Sequence, residues 1–276
     1  MLKSIAKSVY LGALQRFSFL RLRTVRQRPH GLPFPLVVSL TSYPKRYPTL
    51  APTLASLLSQ RVRADATVLW IAPGDMAALP ADVLALKSHG LTIREAEDLR
   101  SYKKIIPALA DYPDAAIVTA DDDVYYPSDW LGHITDAYRA DRREVLCHRA
   151  HRMRVVGDGL APYASWEMTV DDTGDSPNLF ATGIGGIFYP PGIFHPDVTR
   201  VDRLLALCPT TDDVWLNWMA RLSGADVRRV GPNRRFREWP GSQEVALMNV
   251  NFVDGSNNDE QLAAIIEAYG LPENVR

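Results

Sequence analysis

Leu36-Val37-Val38-Ser39-Leu40 is a short continuous apolar run that begins directly after Pro35. A strand with one wet face alternates apolar and polar residues, so an unbroken run predicts a strand buried on both faces. Such strands belong to parallel sheets covered by helices on each side. Working outward, residues 49–60 place Leu50, Leu54, Leu57 and Leu58 at helical spacing, and residues 67–72 form a second apolar run closed by Pro73-Gly74. Helix, strand, helix and strand are then expected over residues 81–88, 91–94, 104–110 and 115–120. Repeated βα units of this kind predict an open, mostly parallel α/β (Rossmann-like) sheet flanked by helices.

The rhythm changes near residue 143. Strand-like pieces at residues 145–148 and 186–189 are separated by polar, Gly/Pro-rich loops. Residues 212–222 and 258–269 read as helices, the latter with acids in its first turn and Gly270 after its end. Residues 31–276 are therefore expected to form one domain, with a nucleotide-binding half over about residues 35–130 and a loop-rich acceptor half over about 140–270. Residues 1–30 differ: Leu2, Ile5, Val9, Ala13, Phe17 and Leu20 recur at helical spacing among basic residues, and residues 26–31 read as a linker. That stripe either packs on the domain or rests on an anionic membrane surface.

The 276-residue chain carries a net charge of −1, but the charge is unevenly spread: no Asp or Glu precedes Asp65. This basic start lacks an aromatic-rich binding module, so no nucleic-acid partner is expected. Cys147 and Cys208 have no neighbours at metal-ligand spacing. No apolar run reaches the roughly 18 residues of a membrane span, and the N-terminal apolar stretch is too short for a secretory signal. A cytoplasmic protein is expected, with the inner face of the plasma membrane as the place for a peripheral contact.

The chemistry concentrates in Ala115-Ala116-Ile117-Val118-Thr119-Ala120-Asp121-Asp122-Asp123-Val124-Tyr125-Tyr126. Ligands of open α/β sheets bind beyond the carboxyl ends of the strands. Adjacent carboxylates repel one another, so the cluster calls for a cation. Their hard oxygens suit Mg2+ or Mn2+, ions that also hold a substrate diphosphate. On an extended strand end, Asp121 and Asp123 would project to one side and Asp122 to the other. A turn or a helix cap explains one such Asp more readily than three.

Other segments have two readings each. Ser101-Tyr102-Lys103-Lys104 is expected to open a helix, where lysines oppose the dipole unless an anion binds there. Thr182-Gly183-Ile184-Gly185-Gly186 is not spaced as a dinucleotide fingerprint; its glycines signal close approach to a ligand or a bulge. Thr211-Asp212-Asp213 combines a helix cap with candidate acids. Trp215 is core or a sugar-stacking surface, and His151 beside Arg149 is a base or merely part of a basic loop.

Val37-Val38-Ser39-Leu40-Thr41-Ser42-Tyr43-Pro44-Lys45-Arg46, followed by Leu50, Leu54 and Ser56-Leu57-Leu58-Ser59-Gln60, resembles the opening of the GT-A-fold glycosyltransferases related to family 2. Asp121-x-Asp123 looks like their Asp-x-Asp motif. Bacterial polysaccharide-associated transferases share runs similar to Ser101–Lys104, Tyr125-Tyr126-Pro127-x-Asp129-Trp130-Leu131, Arg149-Ala150-His151-Arg152 and Thr210-Thr211-Asp212-Asp213-Val214-Trp215. The resemblance spans about residues 35–265. It implies a GT-A-like fold and metal-dependent, inverting transfer from a nucleoside-diphosphate sugar, with UDP favoured, to a hydroxyl of a glycan or lipid-linked glycan, in surface-polysaccharide synthesis. It further implies a metal on Asp121 and Asp123, and a donor beside Thr41, Tyr43, Arg46, Lys103, Lys104, Asp121 and Asp122. The acceptor falls beside Arg149, His151, Gly185, Gly186 and Trp215, and Asp213 is the base, with Asp212 in reserve. The relatives often add a C-terminal His to the metal; here Asn257, Asn258 or Asp259 stands in that region. The rival readings are a haloacid dehalogenase-type phosphatase, with Asp121 as nucleophile, and a non-catalytic, membrane-associated carbohydrate-binding protein.

Overall fold

The computed structural model describes residues 2–232, 235–239 and 256–276, with side chains described for 10–232, 235–239 and 257–276. After helix α1 (Leu2–Thr24) come β1 (Leu36–Thr41), α2 (Tyr47–Leu58), β2 (Ala66–Ile71), α3 (Ala81–Ala85), β3 (Leu91–Glu95), α4 (Ile106–Asp111) and β4 (Ala116–Thr119). The second half holds β5 (Val124–Tyr125), α5 (Trp130–Ala137), β6 (Glu144–Cys147), β7 (Ala150–Arg152), the short pair β8 (Val155–Val156) and β9 (Gly159–Leu160), β10 (Leu179–Ala181) and β11 (Ile187–Tyr189). It closes with α6 (Val201–Leu207), α7 (Asp212–Leu222), β12 (Asp226–Arg229), β13 (Arg237–Glu238) and α8 (Ser256–Tyr269).

Seven strands form one sheet in the order β12-β6-β11-β4-β1-β2-β3. All pairs are parallel except those of β11, which runs against both β4 and β6. The fold is therefore the expected α/β class: an open, mostly parallel sheet flanked by helices. β1 is buried throughout residues 36–40, and its side chains alternate between two cores. Val37 joins Ile117 and Trp215 on the α7 side, while Leu36, Val38 and Leu40 join Val118, Leu50 and Leu54 on the α2 side. Both faces are covered, which is why the strand needs no polar alternation.

From β1 the chain proceeds outward to β2 and β3, and then returns across to β4 on the other flank. Strand order reverses between β1 and β4, and a crevice opens beyond their carboxyl ends at such a point. The residues that follow there are Ser42 and Asp121.

One expectation is corrected. The segment around Lys104 does not open an α-helix: residues 100–104 form a 3-10 turn, and α4 starts at Ile106. Pro107 favours that start, because proline fits a helix's first turn without losing a hydrogen bond, whereas an interior position costs one. Of the two readings left open for residues 1–30, packing on the domain is observed for part of the segment. α1 packs on α2, and Arg28 is woven in by backbone hydrogen bonds to Arg61 (2.8 Å) and Arg63 (2.9 Å). Among the described residues, no helix is long and apolar enough to cross a membrane.

Candidate active site

Asp121, Asp122 and Asp123 lie in a turn between β4 and β5, not on an extended strand end, so their side chains do not alternate. Asp121 is 3.2 Å from the Lys104 ammonium. Asp122 and Asp123 turn instead to Arg46: Asp123 pairs with it directly, and Asp122 Oδ1 stands 3.8 Å away. The Ser42 hydroxyl donates to Asp122 Oδ2 (2.6 Å), joining the ends of β1 and β4. The backbone N–H of Asp121 donates to the buried Tyr126 hydroxyl (2.8 Å), which fixes the turn.

The second acid pair arrives from α7. Asp212 Oδ2 is 3.0 Å from Lys104 Nζ, so one ammonium bridges carboxylates from two halves of the chain. Asp213 Oδ2 accepts the Gly183 N–H (3.0 Å). A β-carbon placed on Gly183 would lie 3.3 Å from Asp213 Oδ1, 3.3 Å from Lys104 Nζ and 3.7 Å from Asp121 Oδ1. Glycine thus leaves the small space on which these groups converge.

Electrostatics follow from that crowding. Burial alone would lower the Lys104 pKa, but Asp212, Asp121 and Asp213 outweigh it and hold the ammonium well above its ordinary value. Burial pushes Asp213 up to about 7, with Asp212 adding to the effect and Lys104 opposing it. Burial likewise raises Asp122 to about 7 against the pull of Arg46 and Ser42. Displaced titratable groups gathered at a sheet's carboxyl edge make this cluster the candidate site.

Negative charge from Asp121, Asp122, Asp123, Asp212 and Asp213 exceeds what Lys104 and Arg46 neutralise, which fits a divalent cation in sign. The ligand set fits only in part. Among the described residues, no group of three His, Cys, Asp or Glu side chains is disposed to hold a metal. Arg46 already engages Asp123, which leaves Asp121, with 23% of its side chain exposed, as the accessible member of the expected pair. Asn257, Asn258 and Asp259 do not complete a metal site. Asn257 donates to the Thr210 hydroxyl (3.0 Å), Asn258 accepts from the Thr211 hydroxyl (3.1 Å), and Asp259 accepts the Tyr163 N–H (2.7 Å).

The remaining expected residues divide. Thr41 is partly exposed at the end of β1, where its hydroxyl donates to the Trp70 carbonyl (2.8 Å). Tyr43 accepts from Arg46. Arg46 is itself buried against the acids and supports the turn. Lys103 points away to Asp98, which leaves Lys104 as the member of the pair facing the cluster. Arg149 stays beside the Gly183 loop, donating to the Thr182 hydroxyl (2.9 Å).

His151 and Trp215 are corrected. His151 is buried, its Nδ1 accepts the Thr169 N–H (2.9 Å), and burial with Arg149 lowers its pKa to about 4. It is a neutral strut of the β7–β10 ribbon. Trp215 is fully buried and donates to the Val198 carbonyl (2.9 Å), so it offers no face to a sugar.

Gly185 and Gly186 are likewise packing residues. Both have positive φ, and an added β-carbon would meet Phe236 at 2.6 Å and Trp130 at 2.5 Å, respectively. Gly186→Ala is therefore expected to cost roughly 2–4 kcal/mol, combining left-handed strain with overpacking. Urea unfolding with unchanged ligand affinity per folded molecule is the check.

Two buried amides outside any motif support the acids. Asn217 donates to the carbonyls of Asp213 (2.8 Å) and Ala181 (2.9 Å), tying the acid turn to β10. Gln261 accepts the N–H groups of Thr210 (3.2 Å) and Thr211 (3.1 Å), anchoring the segment that delivers Asp212. Neither amide lies in a recognisable motif; only their three-dimensional neighbours give them a role.

No family model and no curated protein matches this chain. Among solved structures it is similar to the inositol-1-phosphate CTP transferase from T. maritima, at 13% identity over 91% of this chain and 98% of that one, with a TM-score of 0.40. It is also similar to glucosyl-3-phosphoglycerate synthase from Mycobacterium tuberculosis, whose structure contains Mn2+, UDP and glucosyl-3-phosphoglycerate. That match has 11% identity over 87% of this chain and 82% of that one, with a TM-score of 0.42. At this level of similarity neither activity transfers to this chain.

Proposed function

We propose that the chain is a glycosyltransferase of GT-A-like architecture, moving a sugar from a nucleoside-diphosphate donor, UDP favoured, to a hydroxyl of a glycan or lipid-linked glycan. The observation that carries this reading is the convergence of Lys104, Asp121 and Asp213 on Gly183, with Asp212 paired to the same Lys104 ammonium, at the carboxyl end of the sheet beside the point where strand order reverses. Lys104 would supply positive charge where a diphosphate gains negative charge on departure. Asp213, with its raised pKa, is matched to accept a hydroxyl proton near neutral pH. Asp121 would hold Mn2+ or Mg2+ together with oxygens of the donor, and the ion would act there as a Lewis acid. Attack from the Asp213 side, opposite the leaving group, would invert the anomeric centre. The resemblance of the Asp121-x-Asp123, Arg149–Arg152 and Thr210–Trp215 runs to bacterial transferases supports a cytoplasmic role in surface-polysaccharide assembly.

A thermal-shift screen of nucleoside diphosphates and their sugars, with and without Mn2+, tests the reading, because a ligand of the folded state must raise Tm. UDP with Mn2+ is expected to stabilise the protein more than either alone, and Asp121→Asn is expected to remove the metal-dependent part. If no nucleotide binds and a generic phosphomonoester is hydrolysed in an Asp121-dependent way, the chain is a phosphatase.

A further inference from the structure

Helix α1 has two chemically different long faces. Leu11 and Ser18 are buried, and Arg21 donates to the Ser59 carbonyl at the end of α2. Away from that contact large apolar side chains are exposed: Tyr10 is 46% exposed, with the Arg237 guanidinium 4.8 Å over its ring, Phe17 49% and Leu20 58%, while Phe19, 36% exposed, points to another side of the helix. Tyr10, Ala13, Phe17 and Leu20 follow one another at helical spacing, and all are exposed. The described part of the sequence stripe, Ala13, Phe17 and Leu20, is therefore turned outward, while Leu11, which lies off it, is buried. Leu2, Ile5 and Val9 lie outside the described side chains.

Exposed Arg16 and Arg23 flank this stripe, Arg26 follows it, and no acid occurs in the chain before Asp65. Phe17 and Leu20 on one face, with Arg16 and Arg23 beside them, match a lipid headgroup layer of negative charge, where Arg stems lie along the acyl boundary and guanidinium groups meet phosphate. α1 does not qualify as a membrane span. We infer that α1 is a fixed, in-plane docking face for an anionic membrane surface, with Phe17 and Leu20 entering the acyl boundary and Arg16 and Arg23 contacting lipid phosphates. The helix is not a loose tether. Arg21 also bonds to Tyr125 on β5, the strand leaving the acid turn, so the docked face is rigidly connected to the candidate site.

The test is sedimentation of the full chain with phosphatidylcholine vesicles, with and without phosphatidylglycerol, and requires no catalytic activity. The chain is expected to pellet with the anionic vesicles only, and to be released in high salt. Phe17→Glu/Leu20→Glu and, separately, Arg16→Glu/Arg23→Glu should each weaken binding by about tenfold or more while leaving Tm unchanged, because all four positions are exposed. If either double variant fails to fold, salt release of the parent chain and the neutral-lipid control still decide. Absence of pelleting, equal pelleting with neutral vesicles, or pelleting unchanged in folded Phe17→Glu/Leu20→Glu would overturn the inference. Concentration-dependent dimers abolished by that variant, without vesicle binding, would assign the face to a second copy of the chain instead.

Discussion

Asp213→Asn is expected to lower the sugar-transfer rate by roughly 10²- to 10⁴-fold while donor affinity stays nearly constant, the pattern of a lost general base. The carboxylate accepts the Gly183 N–H, sits beside Asp212 and Lys104, and has its pKa pushed up to about 7 by burial. Only the ionised form takes a proton, so turnover of the parent should rise with pH through about 7. The same shift predicts a stability effect of definite sign. The folded state binds this proton more tightly than the unfolded chain, whose group titrates near 3.8. The contribution to stability is therefore full below that unfolded value and is lost as pH rises toward about 7. Asp213→Asn should raise Tm at pH 8 and gain little or nothing at pH 4. Steady-state kinetics and paired melting curves check both parts. If Asp212→Asn abolishes turnover and Asp213→Asn does not, the two acids exchange roles; if neither matters, the proposed mechanism is wrong.

Lys104→Met is expected to destabilise the fold by about 3–5 kcal/mol, because removing one partner of a buried ionic group strands the others. Its ammonium is buried between Asp121 and Asp212, and the side chains of both acids are largely covered. Lys103→Met is the internal control. Its partner Asp98 leaves 64% of its side chain exposed, so losing that pair should cost about 1 kcal/mol or less. Urea unfolding separates the two variants. Adding Asp212→Asn to Lys104→Met should recover part of the loss, since it removes one stranded charge, and the double-mutant cycle measures that coupling. Equal losses for Lys103→Met and Lys104→Met would remove Lys104 from the centre of the cluster.

Much of the scaffold is legible in local patterns. The unbroken run at residues 36–40 is buried on both faces, and helix α7 occupies the residues its periodicity and acidic first turn predict. Lys104, Asp121 and Asp213 are each visible as candidates. What sequence periodicity misstates are directions. It sends Asp123 to the same side as Asp121, whereas the turn after β4 delivers it to Arg46. It leaves Trp215 open to a sugar, whereas α7 rotates it into the core. It also leaves undecided which way the α1 stripe faces; in its described part Ala13, Phe17 and Leu20 are exposed, while Leu11 and Ser18 are buried.

The sequence by itself determined the βα succession, the burial of β1 and the presence of acids at the end of β4, because these depend on periods of two and 3.6 residues and on breakers such as Pro73-Gly74. Only the tertiary structure decided which cation meets which carboxylate. β11 enters the sheet antiparallel between β4 and β6, and α7 brings Asp212 and Asp213 to the turn after β4 from some ninety residues further along the chain. Coulomb energy depends on separation in space and on the local dielectric, and neither is encoded by distance along the chain.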